Sequence, residues 1–251
     1  GDWSSDVRSS DLQERFVNII EALEMLVIDN DFNHGTFYLF YDKNQLVQGF
    51  NLPDYISNAD CKLTLYKNCR NTKNIAITST RPLGQEKPPK VLDGNIEGPS
   101  PEIYMSKNSD KQREYVNQVL KKLLNNKIND IVILTCRTEE QSILHPYIND
   151  GYYEVFNKKI RMTTCRKFKG LEADAVILID VYKEDLINQG NLVFYVGASR
   201  ARFHLYMISD LNQNDCNEII NYLGLPKRRR PEKAVATYLN AYLCEYDKHS
   251  L

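Results

Sequence analysis

Strand and helix signals alternate along the chain from Glu102 onwards, and this alternation constrains the fold more than any other feature. Apolar runs of strand length, such as residues 130–136 and 174–181, are separated by segments with apolar residues at helical spacing, such as 109–124. Strands joined by helices pair in parallel through right-handed crossovers. The sequence therefore predicts an α/β fold with a parallel sheet and helices on both faces.

Hydrophobic periodicity gives the bounds of each predicted element. Helices are predicted at residues 12–28, 75–79, 109–124, 139–148, 192–201, 216–223 and 234–243. Strands are predicted at residues 35–42, 61–66, 103–105, 130–136, 160–164, 174–181 and 203–208. Residues 82–101 hold five prolines and three glycines, which predicts a connector with little regular structure.

Composition narrows the class of protein. The hydrophobic and charged fractions, 42% and 26%, are typical of a globular domain, and the apolar runs are shorter than the roughly 20 residues of a membrane helix. Six cysteines without a C-x-x-C pair favour reduced thiols in the cytoplasm over a disulfide framework or a metal site. Residues 1–12 lack a secretion signal and are expected to be a disordered or extraneous leader. The net charge of -1 excludes a globally basic protein but not a local basic patch.

Polar side chains occur beside several predicted strands, and open parallel sheets bind ligands at the carboxyl ends of their strands. Among these side chains, Gln45 could orient a water molecule, Glu172 could accept a ribose hydroxyl, and the fork of Arg200 matches phosphate oxygens. Each residue also has a simpler interpretation. Gln45 is a turn residue, Arg200 can favour the dipole of its helix, and Lys167 and Lys169 can form a solvated face.

Four segments, taken in order, resemble a known family. "YDKNQLVQG", "LYKNCRNT", "TCRKFKGLEADAVIL" and "FYVGASRAR" are similar to consecutive signature motifs of superfamily 1 DNA helicases of the UvrD/PcrA/Rep type. The resemblance extends from Gly35 to about Ser209, and its most specific part is "KGLE" followed by an apolar strand and "GASRAR". It implies the RecA-like lobe of the P-loop NTPase type that forms the second motor domain.

The resemblance also implies roles for individual residues. Gln45 would sense the terminal phosphate of ATP and its attacking water, Arg70 would reach the same phosphate, and Arg200 would be the arginine finger. Gly170 and Glu172 would contact the nucleotide. Thr164, Arg166 and Lys167 would touch the backbone of single-stranded DNA, although RNA remains an alternative.

The chain departs from the family pattern at three positions of these motifs. Cys69 stands in place of the usual tyrosine, Arg166 in place of histidine, and Ser199 in place of threonine. Arginine still binds phosphate and serine still offers a hydroxyl. The cysteine removes a ring that stacks on the nucleotide base in the family.

Two motifs of the family's first lobe are missing from the chain. No G-x-x-x-x-G-K-[ST] occurs, so the loop whose backbone amides cradle phosphates is absent, as is the acidic pair for Mg²⁺. We therefore expect a leader (1–12), the tail of a first RecA-like domain (13–70) and nearly all of the second (71–251). The complete protein would be an ATP-dependent DNA helicase acting with ATP and Mg²⁺, with a role in DNA repair, whereas this chain alone would be inactive.

Two other hypotheses compete with this one. The chain could be a stand-alone RecA-like module that binds nucleic acid or a partner without catalysis. It could also be a generic doubly wound domain, in which Lys169, Glu172 and Arg200 need not converge. The run "PKRRRPEK" at residues 226–233 is a separate basic cluster, for which a solvated helix entry is favoured over a DNA contact or a localisation signal.

Overall fold

A sheet of eight strands forms the centre of the domain in this computed structural model, which describes residues 61, 63, 67–84, 90–91, 96–187 and 191–246. The elements described below belong to one unit, Leu65–Leu251. The predicted helix 12–28, the predicted strand 35–42 and most of the predicted strand 61–66 lie outside the described residues. The predicted domain boundaries therefore stay predictions.

The elements follow one another in this order. The strands are β1 (Lys67–Asn68), β2 (Lys90–Val91), β3 (Glu102–Met105), β4 (Ile131–Thr135), β5 (Ile148–Asn149), β6 (Tyr152–Val155), β7 (Lys158–Thr164), β8 (Ala173–Val181), β9 (Ala201–Ser209) and β10 (Tyr242–Tyr246). The α-helices are α1 (Lys73–Thr80), α2 (Ser109–Asn125), α3 (Glu184–Ile187), α4 (Asn191–Ala198), α5 (Gln213–Tyr222) and α6 (Pro231–Tyr238). Two 3₁₀ turns lie at Arg81–Leu83 and His145–Tyr147.

The strand order of the large sheet is β10-β3-β9-β8-β4-β7-β6-β5, and β1 and β2 form a separate parallel pair. The six strands from β10 to β7 pair in parallel, and β6 and β5 add an antiparallel edge. The predicted α/β fold is confirmed, with a sheet that is mixed rather than wholly parallel. No helix in the described parts of the chain is long and apolar enough to cross a bilayer.

The two faces of the sheet are covered by different helices, because successive side chains of a strand point to opposite sides. Ile177 and Ile179 of β8 join a buried cluster with the apolar side of α2. That helix begins where the Asn108 side chain accepts a hydrogen bond from the Lys111 amide at 2.9 Å. The predicted helix 109–124 is thereby confirmed.

The opposite face of β8 is covered by α4, whose approach depends on a glycine. A Cβ atom added to Gly197 would lie 2.5 Å from Cys165 Sγ and 2.7 Å from Leu178 Cδ1. Real Cβ atoms do not come this close to their neighbours, so a larger residue would force these buried side chains or the helix to shift. Gly197 thus allows α4 to pack on β8 and on the turn that follows β7.

Two predicted elements were wrong. Residues 139–148, predicted to be helical, form turns, the 3₁₀ turn at His145–Tyr147 and the first residue of β5, and Pro146 cannot donate a helical hydrogen bond. The predicted helix 234–243 begins earlier, at Pro231, and ends at Tyr238. Asn240 then adopts a left-handed conformation (φ 55°), and the chain continues into β10 at the edge of the sheet.

Candidate functional site

Glu172 and Arg200 occupy equivalent positions, each directly before one of two neighbouring parallel strands. Glu172 precedes β8 and Arg200 precedes β9, and the first residues of these strands, Ala173 and Ala201, are paired. The Ala173 amide donates a hydrogen bond to the Arg200 carbonyl oxygen at 3.1 Å. The third and fourth motifs of the sequence therefore meet at the amino ends of β8 and β9.

The segment around Arg70, the second of the four motifs, contacts the third and fourth motifs through a buried asparagine. Asn71, 3% exposed, donates from Nδ2 to the carbonyl oxygens of Ser199 at 2.9 Å and Ala201 at 2.6 Å. Beside it, the Asn68 side chain accepts from the amides of Arg70 and Asn71 and closes a tight turn. Because buried carbonyl groups need donors, Asn71 fixes the turn on the end of α4 and the start of β9.

Arg70 projects from this turn toward the third motif and forms an ion pair with Glu172. Arg70 Nε lies 3.1 Å from Glu172 Oε2, and the two side chains are 41% and 44% exposed. An ion pair this exposed contributes roughly 0–1 kcal/mol to stability, so a charged ligand could displace either partner at low cost. Two residues that the sequence assigned to nucleotide binding are therefore in contact and reachable from solvent.

Arg200, in contrast, is 1% exposed. Its guanidinium donates to the Val196 carbonyl oxygen at 3.0 Å, to Ser199 Oγ at 3.0 Å and to the Leu171 carbonyl oxygen at 3.5 Å. Val196 lies in the last turn of α4, where unpaired carbonyl groups attract a cation. In this state Arg200 ties the end of α4 to the residue before Glu172.

The basic turn at residues 165–171 links the site to the opposite end of the sheet. Thr135 of β4 is level with Thr164 of β7 on one side and with Ile179 of β8 on the other. Glu172 lies seven residues before Ile179, so Thr164 and Glu172 are separated by about 20 Å along the strands. The residues predicted to bind the nucleotide therefore lie at the amino ends of the strands, and those predicted to bind nucleic acid lie at the carboxyl ends.

This separation corrects one expectation. Ligand-binding residues were expected near the carboxyl ends of the strands, with Glu172 beside one strand and Arg200 at the end of a helix, but both lie directly before the amino end of a strand. The physical reason is that β7, β4 and β8 are parallel, so the chain must return across the sheet between β7 and β8. Gly170 closes this return with φ 91°, a left-handed conformation that favours glycine.

Thr164, Arg166 and Lys167 lie at the carboxyl end of β7. Thr164 Oγ1 accepts a hydrogen bond from the Lys167 amide at 3.2 Å, and Lys167 Nζ lies 3.0 Å from Glu139 Oε1. Arg166 and Lys167 are exposed, while Cys165 and Phe168 are buried and anchor the turn. The turn thus presents cations on a fixed backbone, which suits contact with phosphate groups.

A buried acidic group that the sequence did not single out lies at the same edge of the sheet. Asp185, 1% exposed, forms an ion pair with Arg137, whose guanidinium lies 4.2 Å from the centre of the Tyr182 ring. Burial raises the pKa of the Asp185 carboxyl to about 6. The only sequence signal for this pair was the position of Arg137 and Tyr182 directly after predicted strands.

We expect the stability of the domain to depend on pH through Asp185. The folded chain binds this proton more tightly than the unfolded chain, so its stabilising effect is complete below about pH 3.8 and is lost as pH rises through about 6. The contribution is about 3 kcal/mol at most. Urea unfolding of Asp185→Asn at several pH values should show a smaller fall in stability between pH 4 and 7 than the unmodified chain. An unchanged pH profile would contradict this assignment.

The structure therefore brings Arg70, Glu172 and the backbone of Arg200 together, and places Thr164, Arg166 and Lys167 elsewhere. Gln45 lies outside the described residues. The generic doubly wound hypothesis, in which Lys169, Glu172 and Arg200 need not converge, would be supported by a structure that places them far apart. Glu172 and Arg200 lie close together here, which does not favour it. The functional roles of all these residues stay predictions.

This geometry defines an α/β domain in which the segments around Arg70, Glu172 and Arg200 meet at the amino ends of the parallel strands β8 and β9. Residues 159–208 match the family model of the UvrD-like helicase C-terminal domain. The match runs from β7 through the basic turn, β8 and α4 into β9, and it confirms the resemblance seen in the third and fourth motifs. This part of the chain is therefore similar to a C-terminal domain of the UvrD type, which supports a helicase-related role.

A solved structure is also similar to this chain. It is the C-terminal domain of a possible DNA helicase from Lactobacillus plantarum WCFS1, at 16% sequence identity and with a TM-score of 0.45. The similarity covers 70% of this chain and 98% of that one. No curated protein is significantly similar to the chain.

Proposed function

We propose that the chain is the C-terminal part of an ATP-dependent superfamily 1 DNA helicase. It would supply the second motor lobe, which contacts the nucleotide at the amino ends of β8 and β9 and single-stranded DNA at the carboxyl end of β7. The observation that carries the proposal is the double hydrogen bond from Asn71 to Ser199 and Ala201, which brings two motifs that are distant in sequence into contact. A purely structural turn would not need to present Arg70 and Glu172 to solvent beside it.

The ion pair of Arg70 and Glu172 suits the binding of a nucleotide. A phosphate group would replace the Glu172 carboxylate on Arg70, because the guanidinium fork matches phosphate oxygens. The released carboxylate would then accept a hydrogen bond from a ribose hydroxyl. ATP and Mg²⁺ would be held mainly by a preceding motor lobe, because this chain lacks the phosphate-binding loop.

Arg200 would act as the arginine finger only after leaving its present acceptors. Closure of the two lobes around ATP would have to separate its guanidinium from Val196, Ser199 and Leu171. The same movement would reach Glu172, because Leu171 directly precedes it. Arg200 would thereby link the presence of a terminal phosphate to the position of the basic turn.

Arg166 and Lys167 would neutralise phosphates of single-stranded DNA, or of RNA. Their turn is anchored by Cys165 and Phe168, and its far end leads to Glu172. A movement of Glu172 when the nucleotide binds could therefore shift the backbone that carries Arg166 and Lys167. Alternate binding and release of the strand would give ATP-driven translocation and unwinding.

The simplest test of the proposal that ATP hydrolysis needs a preceding motor lobe is an ATPase assay. Purified residues 1–251 are expected to show no DNA-stimulated hydrolysis of ATP, because the chain has no phosphate-binding loop. The complete protein, with its preceding motor lobe, should hydrolyse ATP and be stimulated by single-stranded DNA. Phosphate release assays on both proteins would decide the matter. Robust hydrolysis by residues 1–251 would overturn the proposal.

The burial of Arg200 favours a second candidate function. Its guanidinium bonds to acceptors of its own chain, as expected of a structural arginine at the end of a helix. The chain would then be a stand-alone RecA-like module that binds nucleic acid or a protein partner without catalysis. In that case the reading frame would encode no phosphate-binding loop, and Arg70 and Glu172 would have no nucleotide to bind.

A further inference from the structure

Four consecutive cations, Lys227, Arg228, Arg229 and Arg230, form a loop between α5 and α6 that the proposed function does not use. We call residues 227–230 the basic loop. All four side chains are exposed, and within the part of the chain that the structure describes none forms an ion pair or a stacking contact. This distinguishes them from Lys107, Lys122 and Lys183, which pair with carboxylates.

The basic loop is held at both ends. Before it, the Leu225 amide donates to the Ile220 carbonyl oxygen at 3.0 Å and closes the end of α5. After it, the Ala234 amide donates to the Arg230 carbonyl oxygen at 3.2 Å, and Pro231 is buried at the first position of α6. The cations therefore lie on a backbone whose two ends are fixed by the fold.

The placement of these charges is unfavourable for the isolated fold. Arg230 is the N-cap residue of α6 and makes no side-chain capping bond. The amino end of a helix carries a partial positive charge, which repels cations and attracts anions. Four adjacent cations also repel one another, and Glu232 is the only acid in the first turn of the helix. Residues 226–230 are exposed and directly precede the helix, as the solvated helix entry expected from the sequence requires. Solvation alone gives no reason for placing four cations at the positive end of a helix.

We propose that the basic loop is a second nucleic-acid contact, which binds backbone phosphates away from Arg166 and Lys167. We call the single-stranded DNA contact proposed for Arg166 and Lys167 the strand path. Four consecutive charges on one short exposed loop fit a linear polyanion better than a single phosphate. Three of the four are arginines, whose forks bind phosphate oxygens in pairs. The choice of nucleic acid over an acidic protein rests on the proposed function. The contact is to backbone phosphates, which single strands and duplexes share.

The test replaces all four residues of the basic loop by glutamine in the full chain. The measurement is fluorescence anisotropy of a labelled single strand and of the matching duplex, titrated at salt concentrations between about 50 and 200 mM. Affinity should fall at least about tenfold at the lower salt, and the slope of log affinity against log salt should become shallower by about 2 to 3. Greater loss on the duplex would assign the loop to duplex flanking the strand path, and greater loss on the single strand to the strand itself.

A matched control removes the same charge at exposed positions in other parts of the fold, Lys121, Lys127, Lys158 and Lys159, each changed to glutamine; of these, Lys159 pairs with Glu154. This variant should keep the affinity within about twofold, with a change of slope of less than about 1. Because the basic loop is wholly exposed, its variant should fold normally, which urea unfolding would verify. Equal binding by the loop variant and the unmodified chain would overturn the inference, as would equal losses in the loop variant and the control.

A third variant separates this inference from the proposed function. Arg166→Gln with Lys167→Gln should weaken binding of the single strand if the proposed strand path is correct. Should this variant bind normally while the loop variant binds weakly, the strand path is wrong and the basic loop stands. If instead the loop variant binds normally and the Arg166 and Lys167 variant binds weakly, the inference about the basic loop is wrong and the proposed strand path stands.

Discussion

Replacing Arg200 by alanine is expected to lower the free energy of unfolding of the chain by about 3 kcal/mol. Arg200 is 1% exposed and donates to Val196, Ser199 and Leu171. Removing its side chain deletes these three hydrogen bonds, although the Val196 carbonyl keeps Ser199 Oγ as a donor at 3.3 Å, and opens a cavity beside α4. Urea unfolding followed by circular dichroism would measure the change.

Arg70→Ala provides the matched comparison, because both arginines belong to the candidate site. Arg70 is 41% exposed and its partner Glu172 is 44% exposed, so its loss should change stability by no more than about 0.5 kcal/mol. Similar small effects for the two variants would show that Arg200 is not buried in solution as it is in this structure. Its role in holding α4 to the turn before β8 would then be wrong.

The fold could be predicted where one period of hydrophobicity dominates. The strand expected at 174–181 is β8, Ala173–Val181, and the helix expected at 109–124 is α2, Ser109–Asn125. Both have long, regular patterns because each is buried in the core. The antiparallel edge could not be predicted, because β5 has two residues and β6 four. For such short strands, pairing with neighbours decides the structure more than their own sequence does.

The candidate site could be predicted as a set of residues but not as an arrangement. The motifs identified Arg70, Glu172 and Arg200, yet spacing alone could not show that Arg70 pairs with Glu172 while Arg200 is buried. That difference depends on Asn71, which contacts residues about 130 positions later in the chain. Its partners are backbone carbonyl groups, which every residue carries, so no pattern of side chains signals the contact.

The second large effect concerns catalysis in the complete protein. Arg70→Ala is expected to lower the kcat of DNA-stimulated ATP hydrolysis by about 10³, because an arginine that stabilises the transferring phosphate contributes about 10³ to 10⁵ in rate. Arg70 is the best residue for this test because its loss should leave the fold intact. Arg200→Ala should cause a loss of similar size, but its effect on stability makes that result harder to interpret.

Arg202→Ala is the control for this measurement. Arg202 belongs to the same motif as Arg200 and pairs with Asp174 at 3.4 Å with 41% exposure, but no nucleotide contact is proposed for it. The decisive measurement is therefore the ratio of kcat values for Arg70→Ala and Arg202→Ala in the complete protein, with saturating single-stranded DNA. A nucleotide site at the amino ends of β8 and β9 predicts that Arg70→Ala is slower by about 10³. Equal kcat values for the two variants would contradict it.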